Sequence, residues 1–343
     1  MIIRSQACPR AGLIGNPSDG YFGKTIAFTF SNFRAQVMLY ESPDLEILPN
    51  LRDHPRFASV RGLVQDVRSF GYYGGIRLLK ASVKTFYEYC ETRGLRLRDD
   101  NFTLRYESDI PHLVGLAGSS AIITACFRAL MAYYGVTIPG PELPNLILTV
   151  EKDELGISAG LQDRVAQVYQ GVVYMDFDRE LMEAHGHGRY EPLDPALLPP
   201  LYVAYRQDLS EGSEVFHNNI RFRFERGDPE VLEAMRFWAG LADQVRDCLL
   251  RGDHGPIPAL LDANFDRRAQ LYRISSGNLA MVRAARAAGA SAKFTGSGGA
   301  IVGTYADEAM FQALQARLEA LNIRVIKPVI APALPDPGKE EHA

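Results

Sequence analysis

The stretch that decides the fold reads PHLVGLAGSSA at residues 111–121, and an apolar, helix-forming run follows it as far as Tyr134. Glycine allows the backbone to approach a ligand closely, and the first turn of a helix leaves N–H groups without partners. Those donors, together with the positive end of the helix dipole, suit a phosphate. A serine N-cap after an ordinary turn explains the same residues equally well. The candidate phosphate-binding residues are Gly115, Leu116, Ala117, Gly118, Ser119, Ser120 and Ala121.

The composition is that of a globular protein, with 47% hydrophobic and 23% charged residues in a chain of 343. This length predicts one large domain or two of ordinary size. A formal net charge of −4 gives no reason to expect nucleic acid or an anionic membrane as a partner. The N-terminus lacks a secretion signal, and the four cysteines have no CxxC spacing. We therefore expect a cytoplasmic protein with reduced thiols and no membrane partner.

Predicted strands and helices are mixed along the chain without a regular β-α-β alternation, which favours an α+β fold over a doubly wound sheet. The segment 179–200 is rich in His, Gly and Pro and is the expected domain boundary. The predicted units are 1–185 and 200–334, followed by a disordered tail at 335–343. The polar segment 45–68 is expected to contain a mobile connection.

A phosphoryl-transfer enzyme needs a backbone cradle, metal ligands, charge neutralisation and an oriented nucleophile. Ser119 and Ser120 are placed to hold phosphate oxygens, and a serine hydroxyl can reach Mg²⁺. Glu151, in the run EKDE, is either a carboxylate metal ligand or part of a solvated helix face. Asp163 follows a glycine-flanked loop and is either an acceptor for a hydroxyl proton or a helix cap.

A second glycine-rich loop, KFTGSGG at 293–299, allows backbone contact with phosphate or substrate, or is a simple β-turn. The sequence GxxxxGK[ST] is missing, and so are the signatures of protein kinases. On spacing alone, Arg10 and Asp19, which flank the first turn cluster, would be surface residues.

The order of three motifs, however, resembles that of the GHMP small-molecule kinases. The motifs are PRAGLIGNPSD at 9–19, GLAGSSA at 115–121 and the glycine motif at 292–299, and together they span nearly the whole chain. The commoner family loop reads Gly-Leu-Gly-Ser-Ser, whereas this chain has one more residue between the glycines. That variant, with NPSD at 16–19, GIRLL at 75–79 and NFD at 264–266, resembles the glucuronokinases, which make glucuronate 1-phosphate from ATP and D-glucuronate.

The resemblance implies an N-terminal domain like domain 2 of ribosomal protein S5 and a ferredoxin-like C-terminal domain, with ATP and sugar bound at their junction. It implies that Ser120 supplies a hydroxyl ligand to Mg²⁺ and that Glu151 is its carboxylate partner. It also makes Asp163 the catalytic aspartate. Arg10 matches the basic residue beside that aspartate and would stabilise developing charge.

For the acceptor, Asp19 matches a residue that holds sugar hydroxyls in the galactokinase branch. Asn16-Pro17 stands where that branch has Glu-His, so galactose specificity is not expected to transfer. The residues expected to contact the acceptor are Asn16, Asp19, Lys24, Gly296, Ser297 and Gly298. A uronate carboxylate calls for a cation such as Lys24, Arg34 or Arg221, although each is also typical of a surface charge. Tyr72 and Tyr73 line an adenine pocket or pack in the core.

The resulting hypothesis is a sugar 1-kinase that uses ATP and Mg²⁺ to phosphorylate the anomeric hydroxyl of a uronic acid, with D-glucuronate first. Other acceptors left open are galacturonate, arabinose and a heptose phosphate. A non-catalytic nucleotide or sugar sensor with the same fold is the alternative outside enzymes. The chain is expected to act as a monomer or a homodimer.

Overall fold

The structure, a computed structural model, describes residues 1–50, 53, 74–206 and 214–334. Three of the expectations above fall outside those residues: the tail at 335–343, the contacts of Tyr72 and Tyr73, and most of the connection at 45–68. In the described part of the chain the strands form three four-stranded sheets.

The strands are, in chain order, Ile2–Ala7 (β1), Arg10–Ile14 (β2), Lys24–Thr29 (β3), Ala35–Glu41 (β4), Glu46–Leu48 (β5), Phe102–Ser108 (β6), Val172–Asp176 (β7), Arg189–Leu193 (β8), Leu201–Arg206 (β9), Lys293–Phe294 (β10), Ala300–Thr304 (β11) and Ile323–Ile326 (β12). The α-helices are Gly75–Thr92 (α1), Gly118–Tyr134 (α2), Leu143–Thr149 (α3), Leu161–Tyr169 (α4), Arg179–His185 (α5), Glu214–Glu225 (α6), Pro229–Arg251 (α7), Ile257–Leu271 (α8), Ser276–Ala287 (α9) and Glu308–Glu319 (α10). A 3-10 helix covers Ser18–Tyr21, and a π-helical turn covers Val150–Glu154.

The first half of the chain forms two sheets, with the strand orders β1-β4-β6-β5 and β2-β3-β7-β8. Their neighbouring strands are antiparallel except β5, which runs parallel to β6. Helix α2 packs against β1 and β4 and is apolar on nearly every side, with Ile122, Ile123 and Phe127 buried. Because such a helix is fixed by packing around its whole circumference, the loop at its N-terminus is firmly anchored.

The third sheet, in the second half, has the order β10-β11-β9-β12, and all its pairs are antiparallel. From β9 onward the chain runs strand, helices, strand, strand, helix, strand, which is the ferredoxin-like arrangement. Its own hydrophobic core includes Met281 of α9 and Phe311 and Leu314 of α10. The α+β class and the ferredoxin-like second half are thereby confirmed.

Two elements that the sequence did not predict lie in the expected domain boundary at 179–200. Helix α5 begins after Asp178, whose Oδ1 accepts a hydrogen bond from Glu180 N at 2.9 Å. Strand β8 pairs with β7 at the edge of its sheet, where Pro192 is tolerated because an edge strand can lack a donor. Residues up to Leu193 therefore continue the second sheet, and the two proposed domain units remain a prediction.

Among the helices that the structure describes, none is both long and apolar enough to cross a membrane. The cysteines at positions 8, 90, 126 and 248 are buried and carry no disulfide.

Candidate active site

The loop between β6 and α2 contains three residues with positive φ, Leu113, Gly115 and Ala117, and the last two lie just before the helix. Gly115 has φ +72°, and Ala117 has φ +60° although it is not a glycine. The Ala117 carbonyl accepts hydrogen bonds from Ser120 Oγ (3.2 Å) and Gln167 Nε2 (2.9 Å). Helix α2 therefore begins at Gly118, and the N–H groups of its first turn lie at the end of the loop without helical partners. A phosphate-binding loop requires this arrangement.

The two serines of the loop have different surroundings. Ser120 is fully buried, and its hydroxyl turns back to the Ala117 carbonyl. Ser119 is half-buried, and its Oγ donates to Oε1 of Glu151 at 2.6 Å. The sequence predicted Ser120 as the partner of Glu151 at the metal, whereas the structure brings Ser119 to that carboxylate.

Glu151 lies in the π-helical turn at 150–154 and is 1% exposed. Its second oxygen accepts from Nη2 of Arg164, which is 3% exposed. Burial and repulsion from Arg10 lower the pKa of Arg164 to about 9, so the guanidinium is still charged at neutral pH. This pair is a buried salt bridge at the foot of the phosphate-binding loop.

The sequence analysis did not identify Arg164 as a site residue. Besides its contact with Glu151, its Nη1 donates to the Gly160 carbonyl at 2.7 Å and lies 3.4 Å from Oδ2 of Asp163. A cation in the first turn of a helix interacts unfavourably with the helix dipole. An arginine at this position therefore indicates specific partners, and this is the one sequence signal for Arg164.

Arg10 and Asp163 form the centre of the site. Arg10, at the start of β2, is buried, and its Nε lies 2.5 Å from Oδ1 of Asp163 in the first turn of α4. Its Nη1 donates to Gly115 O at 2.8 Å and to Thr295 O at 3.1 Å. One guanidinium thus joins Asp163 to both glycine loops, which are 105 and 285 residues from Arg10 in sequence.

The C-terminal glycine loop is in backbone contact with the phosphate-binding loop. A Cβ added at Gly115 would lie only 2.6 Å from the Gly298 carbonyl. Gly298 has φ +147°, and its neighbour Gly299 donates from N to Asn278 Oδ1 at 3.0 Å. Two carbonyls of the same loop accept from a buried arginine on α8, Arg268. These close approaches explain the glycines of both motifs.

Lys293, the first residue of the C-terminal glycine loop, is 1% exposed. Its Nζ donates to Gly12 O (2.6 Å), Asn16 Oδ1 (2.6 Å) and Phe294 O (2.7 Å). Burial lowers the pKa of Lys293, and the positive charges of two nearby arginines add to this effect. Three acceptors nevertheless match the three N–H donors of an ammonium, so we assign the charged form. Lys293 joins the first motif to the C-terminal loop.

Asn16 serves the same junction. Besides accepting from Lys293, its backbone carbonyl accepts from Asn264 Nδ2 at 3.0 Å. Asn264 Oδ1 in turn accepts from Gly15 N at 2.8 Å, and the Asn264 carbonyl accepts from Trp238 Nε1 at 3.0 Å. The amide of Asn16 is 3% exposed and already engaged within the protein. Its predicted contact with the acceptor remains a prediction.

Asp19, in the 3-10 helix, faces the α4 side of the site. A Cβ added at Gly160 would lie 2.6 Å from Oδ2 of Asp19. Burial and the negative charge of Asp163 raise the pKa of Asp19 to about 6, although Arg10 acts in the opposite direction. Two carboxyl groups with different environments beside one phosphate-binding loop are typical of a functional site.

Of the three cations considered for a sugar carboxylate, the structure places one against the 3-10 helix that contains Asp19. Lys24 is paired with Asp243 at 3.0 Å and lies 3.7 Å from Asp176. Arg34 is exposed on the turn before β4, where its backbone N–H bonds to Asp109. Arg221 instead lies over the 3-10 helix that contains Asp19, with its guanidinium 5.3 Å from the centre of the Tyr21 ring. The contact between Tyr21 and Arg221 is a tertiary contact that the sequence did not indicate.

The donor set beside the phosphate-binding loop fits Mg²⁺. No cluster of three or more His, Cys, Asp or Glu side chains able to hold a metal occurs in the described ranges. Mg²⁺ in phosphoryl-transfer sites is commonly held by one or two carboxylates, with water and phosphate oxygens completing its shell. Glu151 and a serine hydroxyl supply such hard oxygen donors, and the phosphates would supply the others.

Comparison with known proteins agrees with this geometry. The family described as GHMP kinases N terminal domain matches residues 77–171. Glucuronokinase 1 of Arabidopsis thaliana is 44% identical over 306 residues, which cover 88% of this chain and 84% of the relative. Probable glucuronokinase 2 of the same organism is 45% identical over 308 residues, with the same coverage.

Among solved structures, the galactokinase of Lactococcus lactis complexed with galactose has the same fold. It superposes with a TM-score of 0.75 at 16% identity, over 96% of this chain and 93% of that one. The fold of this chain and the order of its three motifs are those of a small-molecule kinase. This chain belongs to the glucuronokinase family of the GHMP kinases.

Proposed function

We propose that the protein transfers the γ-phosphoryl group of ATP to the anomeric hydroxyl of D-glucuronate, giving glucuronate 1-phosphate and ADP. The observation that carries this proposal is the Arg10–Asp163 pair, which touches both glycine loops. The similarity to glucuronokinases over 88% of the chain supports the choice of acceptor.

In this reaction the acceptor oxygen forms a bond to the γ-phosphorus while the bond from that phosphorus to the β–γ bridging oxygen breaks. Asp163 orients the anomeric hydroxyl and accepts its proton, as a positioned carboxylate does in general base catalysis. Arg10 stabilises the negative charge that develops between acceptor and phosphate. The N–H groups at the start of α2 bind the phosphates.

Magnesium would be held by Glu151 and one serine hydroxyl, and it would neutralise charge on the phosphates. Ser119 is the serine in contact with Glu151, at 2.6 Å, so we assign it this role in preference to Ser120. Arg164 holds the other oxygen of Glu151 and thereby fixes the orientation of the carboxylate. The activity is expected in the cytosol, where the four free thiols stay reduced.

The test is ADP release with ATP, Mg²⁺ and a panel of D-glucuronate, D-galacturonate, L-arabinose and a heptose phosphate. We expect the highest kcat/KM with glucuronate, and a phosphorus NMR signal coupled to the anomeric proton of the product. Asp163→Asn should keep ATP binding and lose turnover by about 10²- to 10⁴-fold. Turnover of another sugar without turnover of glucuronate would reject the acceptor. Absence of ATP binding by the parent protein would reject the kinase itself.

A further inference from the structure

A buried cation near Asp19 has no carboxylate partner in the described part of the chain. Arg268 on α8 is 4% exposed, and its Nη atoms donate to the carbonyls of Gly296 and Ser297 at 2.8 and 3.2 Å. Its guanidinium also stacks against Tyr272, with 5.2 Å to the ring centre. Burial lowers the pKa of Arg268, while the charge of Asp19 acts in the opposite direction. Buried charges in proteins are normally paired, whereas this guanidinium has no ion pair with a carboxylate among the described residues.

A second guanidinium lies on the exposed side of the same group of side chains. Arg221 on α6 stacks over Tyr21, and its Nη2 is 3.4 Å from the Gly20 carbonyl. Tyr21 also packs edge-on against Phe224 of the same helix, with 5.0 Å between the ring centres. Each arginine thus stacks on a tyrosine, Arg221 on Tyr21 and Arg268 on Tyr272. Like Arg268, Arg221 makes no ion pair with any carboxylate that the structure describes.

The other cations around the site are already engaged. Arg10 is paired with Asp163, Arg164 with Glu151, and Lys24 with Asp243. The ammonium of Lys293 is surrounded by three protein oxygens. An additional carboxylate on the acceptor would therefore find positive charge without a described ion-pair partner at Arg221 and Arg268.

We propose that Arg221 and Arg268 form the subsite for the carboxylate of the uronate acceptor, with Arg221 as the specificity-determining contact. This inference rests on the proposed function. Arg221 reaches the carbonyl of Gly20, which directly follows Asp19 in the 3-10 helix. A sugar whose hydroxyls contact Asp19 therefore has its carboxylate on the side of the helix next to Arg221. The planar guanidinium matches a carboxylate with two parallel hydrogen bonds.

The experiment compares D-glucuronate with D-glucuronamide, in which a neutral amide replaces the carboxylate on the same sugar. The variants are Arg221→Gln, which removes the charge, and Arg221→Lys, which keeps the charge but loses the paired donors. The control is Arg226→Gln, because Arg226 directly follows α6, is exposed, and stacks on Phe222 at 4.7 Å in the same way. KM and kcat are measured for each sugar and for ATP.

We expect the parent to prefer glucuronate, and Arg221→Gln to raise its KM about 10- to 100-fold while the KM values for glucuronamide and ATP stay unchanged. The KM of Arg221→Lys for glucuronate should lie between those of the parent and Arg221→Gln, and the KM values of Arg226→Gln should match the parent's. The inference is overturned if Arg221→Gln keeps the parent's preference for glucuronate over glucuronamide, or if the parent has no such preference. A parent that phosphorylates neither sugar but acts on another would instead reject the proposed function.

Discussion

At pH 8, replacing Asp19 by asparagine should raise the free energy of unfolding and lower kcat/KM, whereas at pH 4 the stability should change little. The pKa of Asp19 is raised from 3.8 to about 6 by burial and by the charge of Asp163. A raised pKa means that the folded protein binds this proton more tightly than the unfolded chain does. Ionised Asp19 therefore costs stability, and this cost grows as pH rises from about 4 to about 6.

The magnitude follows from the shift. About two pKa units correspond to about 3 kcal/mol at a pH above both pKa values, and partial exposure of the side chain reduces that figure. Asp19→Asn should therefore unfold at a higher urea concentration than the parent at pH 8, by an amount equivalent to about 1–3 kcal/mol. At pH 4 the two proteins should differ little. Asp44→Asn, which removes an exposed carboxylate from a turn, is the matched control and should show no such pH dependence.

Catalysis should respond in the opposite sense, because the proposed role of Asp19, accepting hydrogen bonds from two sugar hydroxyls, requires the ionised carboxylate. In the parent, kcat/KM for glucuronate should fall up to tenfold per unit as the pH drops below about 6. Asp19→Asn should have a lower kcat/KM at pH 8 and lack this acidic limb. The reasoning is refuted if the limb persists in Asp19→Asn, or if the variant is no more stable than the parent at pH 8.

Three further changes test the architecture of the loops. Arg164→Met leaves Glu151 buried without its ion-pair partner and should lower the free energy of unfolding, measured with urea, by about 3–5 kcal/mol. The double variant Glu151→Gln, Arg164→Met should recover most of that loss of stability. An Arg164→Met protein as stable as the parent would contradict this reasoning. Gly115→Ala brings a Cβ to 2.6 Å from the Gly298 carbonyl at a positive φ, so the KM for ATP should rise at least about tenfold, and a change within twofold would argue against loop contact. Ala117→Val should lower the melting temperature more than Ala117→Gly, because a branched side chain tolerates φ +60° poorly; equal melting temperatures would count against the left-handed conformation.

Local constraints made much of the fold predictable from sequence. The run of apolar residues after Gly118 predicted a buried helix, and α2 is buried on nearly every side. Helix α7 begins with a similarly local pattern, in which Asp228 precedes Pro229 and accepts from Glu230 N at 3.0 Å. Such signals act within a few residues, so they survive without knowledge of the tertiary structure. They do not indicate which elements meet.

Contacts between distant segments could not be predicted in the same way. Arg10 and Asp163 are 153 residues apart, and Lys293 is 277 residues from Asn16, so spacing along the chain carries no sign of either contact. Their pairing depends on how the sheets and α4 pack together. The family resemblance supplied the first pair as an expectation, whereas neither the resemblance nor the spacing indicated Arg164 or Arg268. Both of these are cations whose partners appear only in three dimensions.

The extra residue in the phosphate-binding loop shows how a local irregularity can have a tertiary cause. Ala117 takes the left-handed conformation at φ +60°, at a cost of about 1–2 kcal/mol for a non-glycine residue. That conformation turns its carbonyl toward Gln167, which donates to it at 2.9 Å. Gln167 lies one turn beyond Asp163 on α4. The inserted residue thus ties the phosphate-binding loop to the helix that carries the proposed catalytic aspartate, and this bond offsets the local strain.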